Sequence, residues 1–137
     1  MYSESQAAEL LRKADIVPTP QRVEITCLLM GQRAHMSAED VYTLVNTSGR
    51  RVSKATVYNT LGLMSKKGVI REVIADPARV FYDPNTHPHH HFFDVTTGKL
   101  QDIDASLVQV SGLPPLPEGA TLDGVDVIVR YKSAKTG

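Results

Sequence analysis

Four of the five histidines in this 137-residue chain fall within five positions, His87-Pro88-His89-His90-His91. Histidine is the commonest protein metal ligand and the side chain that titrates near neutral pH. On a strand, alternate side chains share a face, so His89 and His91 can address one ion while His90 points away. A solvated polar turn or an expression tag is the mundane alternative. A tag belongs at a terminus, whereas this run is internal and leads into Phe92-Phe93-Asp94-Val95. The spacing therefore points to a metal or haem site. A His-x-His pair with a carboxylate is also a common catalytic metal set, which keeps a metalloenzyme in view.

A second cluster is cationic. Residues 50–71 hold Arg50, Arg51, Lys54, Lys66, Lys67 and Arg71 and no acid. Between the two ends of that block lies a helix-period stretch, residues 54–66, with Val57, Thr60, Leu61 and Met64 on one stripe. The opposite side carries Ala55, Asn59, Gly62 and Lys66, with Tyr58 at its edge. Small residues let a helix sit deep in a major groove, Asn can pair with adenine, and Ala or Thr methyls can touch thymine methyls. Basic residues at both helix ends suit phosphate contacts. An ordinary amphipathic helix with a solvated polar face is the bland alternative.

Five helix or strand groups must position these residues. A short helix spans about 4–14, with Ala7, Leu11 and Ala14 inward. Thr19-Pro20 reads as an N-cap followed by proline at the first helical position, opening a helix to about Gly31 that buries Val23, Cys27 and Met30. Ser37-Ala38-Glu39-Asp40 caps a third helix with Val41, Leu44 and Val45 as its apolar face. Ser53 caps the basic helix, and Gly68 ends it. Two β segments, 69–74 and 80–82, follow across an Asp76-Pro77 turn. Helices followed by a hairpin make a winged-helix pattern containing a helix-turn-helix.

Residues 84–88 have hinge composition. Beyond them the pattern predicts strands at 89–95 and 99–103, a short helix at 104–110, a proline-rich connector and a last strand at 124–131. The fold class expected is α+β: a winged-helix domain over 1–83, a hinge at 84–88, and a small α/β dimerisation and metal-sensing domain over 89–137. A unit of that size without a disulfide is marginal alone, which predicts a homodimer.

Composition bounds the rest. Net charge is zero, so a globally basic protein is excluded; the basic block matters because it is local. Cys27 is the only cysteine, which excludes an internal disulfide and any zinc site built on cysteine pairs, and its apolar neighbours suit core packing better than a catalytic thiol. There is no apolar run long enough to span a bilayer and no signal peptide at the start, so no membrane partner and a cytoplasmic location are expected.

These runs resemble the Fur superfamily of metal-responsive transcription regulators. The matching segments are Pro18-Thr19-Pro20-Gln21-Arg22, His35-Met36-Ser37-Ala38-Glu39-Asp40-Val41-Tyr42, Lys54-Ala55-Thr56-Val57-Tyr58-Asn59-Thr60-Leu61 and His89-His90-His91. Within the family, the triple histidine before two aromatics, Pro117-Glu118-Gly119 and Val127-Ile128-Val129-Arg130-Tyr131 are most similar to the iron response regulators (Irr). The resemblance implies a regulatory metal site on His35, Asp83, His89, His91 and Asp102. It implies a recognition helix at 54–66, with Arg22 as a further DNA contact. The DNA-binding set expected is therefore Arg22, Arg50, Arg51, Lys54, Ala55, Thr56, Tyr58, Asn59 and Lys66. Three imidazoles and two carboxylates suit Fe²⁺, Mn²⁺ or Zn²⁺. Irr-like sensing would add haem on His89, His90 or His91. A dimeric regulator would read inverted repeats in double-stranded DNA. A peroxide sensor of the PerR type, in which a ligand histidine is oxidised, uses the same pattern. The paired-cysteine structural zinc of many relatives is absent: its first positions read Asp94 and Thr97 here, which predicts a second domain held by packing alone.

Overall fold

The computed structural model describes residues 2–32, 35–47 and 51–134, and divides the chain into two compact units, Met1–Thr86 and His87–Gly137. The architecture is α+β, and the first unit is the expected winged-helix arrangement. Its elements are α1 (Glu4–Lys13), α2 (Pro20–Gln32), α3 (Ala38–Thr47), α4 (Lys54–Lys66) and an antiparallel hairpin of β1 (Arg71–Asp76) and β2 (Arg79–Asp83).

The capping chemistry sets each helix start. Ser3 and Gln6 form a capping box on α1. Thr19 accepts from the Arg22 amide at the start of α2. Ser37 and Asp40 cap each other's backbone amides at α3, and Ser53 accepts from Thr56 N at α4. After α4, Gly68 adopts φ +77°, a left-handed conformation open to glycine at little cost.

Val57, Thr60, Leu61 and Met64 of α4 are all buried, as their spacing requires. They pack in one core with Leu11 of α1, Ile25 and Leu29 of α2, Val41 and Val45 of α3, and Ile70 and Tyr82 around the hairpin. Two expected faces differ. In α2 the fully buried residues are Ile25, Thr26 and Leu29, while Val23, Cys27 and Met30 are half-buried. In α3, Leu44 is exposed. The Thr26 hydroxyl, deep in the core, donates to the Arg22 carbonyl at 2.7 Å, which satisfies a polar group that burial would otherwise penalise.

The second unit is a three-stranded sheet in the order β4-β3-β5, built from β3 (His89–Asp94), β4 (Leu100–Asp104) and β5 (Ile128–Tyr131). The histidine strand β3 is central, antiparallel to β4 and parallel to β5. Phe93, Leu100 and Ile103 form its small apolar core. The expected helix at 104–110 is one 3₁₀ turn, Ala105–Leu107, because the Asp104 side chain takes the Ser106 amide and the chain extends again at Val108. The last strand is shorter than its alternating pattern suggested, starting at Ile128.

Asp94 corrects the expectation that this unit holds by packing alone. Its carboxylate accepts from the amides of Thr96 (2.9 Å), Thr97 (3.4 Å) and Ser133 (3.3 Å). It therefore pins the β3–β4 turn to the chain just past β5. Burial pushes the Asp94 carboxyl pKa up, but the hydrogen bonds from Ser133, Thr97 and Thr96 outweigh that and hold it below the ordinary value. A depressed folded pKa stabilises fully above the unfolded value, and that contribution is lost as pH falls through the folded one. Asp94→Ala should lower Tm by several degrees near neutral pH. Thermal melts from about pH 6 down to about pH 3 should show the wild type losing its advantage over the variant.

Candidate metal centre and nucleic-acid face

Strand alternation sorts the histidines. His89 and His91 lie on the buried face of β3, with His90 on the other. Asp102 of β4 stands directly across from His91 in the antiparallel register. That register carries its carboxylate between the two rings: Oδ1 lies 3.3 Å from His89 Nε2 and 3.3 Å from His91 Nε2. The rings themselves pack edge to face, with centroids 4.5 Å apart. Asp102 is half-exposed at 47 %, while His91 is 2 % exposed, so the carboxylate is the open side of the cluster.

The protonation pattern is the informative part. His89 Nδ1 lies 2.6 Å from the His87 carbonyl, which can only accept, so Nδ1 carries a hydrogen. In the neutral ring Nε2 is then a bare lone pair facing a carboxylate oxygen, and two acceptors repel. A proton on Nε2 or a cation shared by the ring and Asp102 resolves the contact. Fixing the distal nitrogen of an imidazole by a backbone carbonyl is how metal-ligating histidines are commonly oriented. The donor set, imidazole nitrogen and carboxylate oxygen without sulfur, fits a borderline or hard divalent ion. His90 is used differently: its Nδ1 accepts from Val127 N at 3.1 Å.

The first unit holds a second pair. Met36 and Tyr82 form a two-way backbone bridge (Met36 N to Tyr82 O 3.3 Å, Tyr82 N to Met36 O 2.7 Å), which sets their neighbours His35 and Asp83 side by side. His35 Nε2 lies 3.0 Å from Asp83 Oδ2. The other oxygen of the buried Asp83 accepts from Asn85 N at 2.9 Å. The five residues of the expected metal set thus fall into two pre-formed groups, one in each unit.

On α4, the outward positions named from sequence are Lys54, Ala55, Tyr58, Asn59 and Lys66, and all are exposed. Arg51 is exposed as well, and Arg50 lies outside the described residues. Two expected contacts are partly committed elsewhere. Thr56 is half-buried and its hydroxyl accepts from the Ser53 hydroxyl within the cap. Arg22 is half-buried and donates to the Val17 carbonyl at 3.0 Å, which leaves most of its five donors for another partner.

One residue of this face escaped the sequence reading. Glu39, in the first turn of α3, accepts from the Tyr58 hydroxyl at 3.1 Å and lies 3.7 Å from Lys54 Nζ. The hydrogen bond to Glu39, then burial and the Glu39 charge, push the Tyr58 phenol pKa up, so Tyr58 is a neutral donor near physiological pH. The available signal was an acid beside, but not part of, the Ser37–Asp40 cap. Cys27 belongs to no such arrangement. Burial, with the charges of Glu4 and Glu24, raises its thiol pKa and leaves it unreactive.

Comparison with known proteins agrees with this fold. Residues 13–113 match the Ferric uptake regulator family. A peroxide-responsive repressor PerR of Staphylococcus epidermidis is 33% identical over 92 residues, covering 67% of this chain and 61% of that protein; the chain thus spans under two thirds of that relative. The structure of the ferric uptake regulator from Pseudomonas aeruginosa with manganese superposes with a TM-score of 0.71 at 26% identity, covering 94% of this chain and 98% of that one. The Vibrio cholerae ferric uptake regulator has the same fold, with a TM-score of 0.72 at 19% identity, covering 92% and 98%. The chain belongs to the Ferric uptake regulator family.

Proposed function

We propose that the protein is a metal-responsive, DNA-binding transcription regulator, not an enzyme, that acts as a homodimer on inverted repeats. In this reading one divalent ion, Fe²⁺, Mn²⁺ or Zn²⁺, is held by His35 and Asp83 from the first unit and by His89, His91 and Asp102 from the second. The bound ion would supply a positive charge that both groups share. Residues 84–88 would act as the hinge whose angle the ion sets, and so determine the spacing of two recognition helices, α4 and its copy. Two such helices should lie about one DNA turn apart, roughly 34–36 Å.

The observation that carries the metal reading is the Asp102 oxygen held at 3.3 Å from both His89 and His91, with the His89 Nδ1 turned to the His87 carbonyl so that its Nε2 faces that carboxylate. The exposed polar face of α4, with Arg51 and Lys66 at its ends, supports DNA as the partner. The dimer is supported by an irregular stretch after β4 on which Leu107, Val110, Leu113 and Leu116, one every third residue, stand exposed in the single chain. Large exposed apolar patches mark protein interfaces.

Iron response is the primary reading, on the Irr-like segments. Peroxide sensing is the second, favoured by the similarity to PerR. Haem on His89, His90 or His91 is a weaker form of iron sensing, because His91 is enclosed and the His90 Nδ1 lone pair is engaged with Val127 N. One experiment sorts these. The protein is purified without oxygen, titrated with Fe²⁺, Mn²⁺, Zn²⁺ or haem, and its binding to genomic DNA fragments is followed by gel shift. A metal-dependent change in affinity is expected. Binding that ignores every metal and haem refutes the sensor. If the iron-loaded protein then gains one oxygen atom on His35 or His89 after peroxide, the PerR-type reading replaces the iron response.

A further inference from the structure

Tyr82 is a core residue with an unused polar end. It belongs to the apolar core of the first unit and is 8 % exposed. A buried phenol usually finds a hydrogen-bond partner. Among the described residues the Tyr82 hydroxyl has none, and its oxygen is not sealed from solvent. Its surroundings say where that tip opens. Glu72 stands across from Tyr82 in the hairpin register. Burial, then the charges of Glu72 and Tyr58, push the Tyr82 phenol pKa up. The Tyr58 phenol is thus within electrostatic reach, and Tyr82 stays a protonated donor near neutral pH. The tip opens on the side of the outward tyrosine of α4.

The position is also rigid. The Tyr82 amide and carbonyl are both hydrogen-bonded to Met36, and the adjacent Asp83 pairs with His35. A donor fixed through its backbone and its ring loses little freedom when a partner arrives. We propose that the Tyr82 hydroxyl is a second phenol contact of the DNA face, donating to an oxygen of the duplex next to the part that Tyr58 meets. The inference rests on the DNA-binding reading above. The two phenols differ in kind. Tyr58 is exposed and must leave Glu39 before it can donate elsewhere. Tyr82 has no protein acceptor to give up, so its exchange is water for DNA. The acceptor is a phosphate oxygen or a base-edge oxygen, and the experiment separates them.

Tyr82→Phe tests this, because it keeps the ring in the core and removes only the hydroxyl. Tyr2→Phe is the control, since it removes another half-buried hydroxyl of the first unit, beside α1 and α2. The probes are a duplex enriched by the wild-type protein from a random pool and a scrambled duplex of equal length, each titrated with and without Mn²⁺. In the metal state that binds the enriched duplex more tightly, Y82F should weaken it about tenfold, the scale of one lost hydrogen bond to a polar or charged acceptor. A loss confined to the enriched duplex assigns a base edge, and an equal loss on both assigns a phosphate. A neutral donor releases no counterion, so the salt dependence should stay that of wild type, unlike that of Lys66→Ala. The melting temperature should stay within about a degree of wild type, because the hydroxyl has no partner in the fold. Y82F affinities that match wild type, or losses that Y2F reproduces, overturn the inference. So does a melting temperature lowered by several degrees, which would give the hydroxyl a role in folding. Wild-type protein that enriches no duplex overturns the DNA-binding reading and this inference with it.

Discussion

Replacing His89 and His91 together with alanine should lower divalent-metal affinity by at least about a hundredfold, since losing even the outer partners of metal ligands costs about 10–100-fold. The variant should keep the metal-free DNA affinity, because α4 and its basic flanks belong to the first unit. The loss has a specific physical origin. The two rings, on a central strand hydrogen-bonded on both sides, form a preset triangle with Asp102 Oδ1 of the neighbouring β4, so little reorganisation precedes metal entry. Both histidines are buried, and two alanines leave space behind them. Asp102→Asn is therefore the companion variant: it sits at the half-exposed edge of the cluster, keeps its size, and removes only the charge. It should weaken metal binding about 10–100-fold with Tm nearly unchanged. Competition with a chromophoric chelator, under exclusion of oxygen, reads both affinities. Wild-type affinity in either variant places the ion elsewhere.

How much of this was legible beforehand depended on whether a residue's neighbours in sequence were also its neighbours in space. The stripe Val57-Thr60-Leu61-Met64 was legible because its helix is polar on the far side, so only one face could be buried. In α2 the run from Val23 to Met30 is apolar on nearly every side, and period alone cannot choose a face; packing chose Ile25 and Leu29 over Val23, Cys27 and Met30. The His89/His91 alternation followed from strand geometry. Asp102 as their partner needed the antiparallel register, which a short turn left open and which resemblance alone supplied. The role of Asp94 is hidden in the sequence for a related reason. The absence of cysteines at positions 94 and 97 reads as a missing zinc site, but only the fold shows an aspartate there taking three backbone amides. Glu39 illustrates the same limit. Its contacts lie 15 and 19 residues downstream, at a distance where pattern reasoning has no purchase.

The other large effect belongs to α4. Tyr58→Ala and Asn59→Ala should each abolish specific DNA binding within the range of a gel-shift titration while the melting temperature stays within a degree or so of wild type. Neither side chain supports the core: Tyr58 is 46 % exposed and Asn59 lies on the same outward side. A bidentate contact from an asparagine to adenine discriminates by about 1–3 kcal/mol, or roughly tenfold to more than a hundredfold in affinity. Both Tyr58→Phe and Tyr58→Ala remove the hydroxyl that donates to Glu39, and Tyr58→Ala removes the ring as well, so its loss should exceed that of Tyr58→Phe. Lys66→Ala and Arg51→Ala should behave otherwise. They are exposed cations at the two ends of the helix, and removing either should weaken all duplexes alike and flatten the salt dependence by about one counterion. The contrast separates the roles: a helix that reads bases loses its preference when Asn59 is cut, whereas a helix that only rests on phosphates loses strength and no preference. Unchanged cognate affinity in either Tyr58→Ala or Asn59→Ala would remove α4 from the major groove.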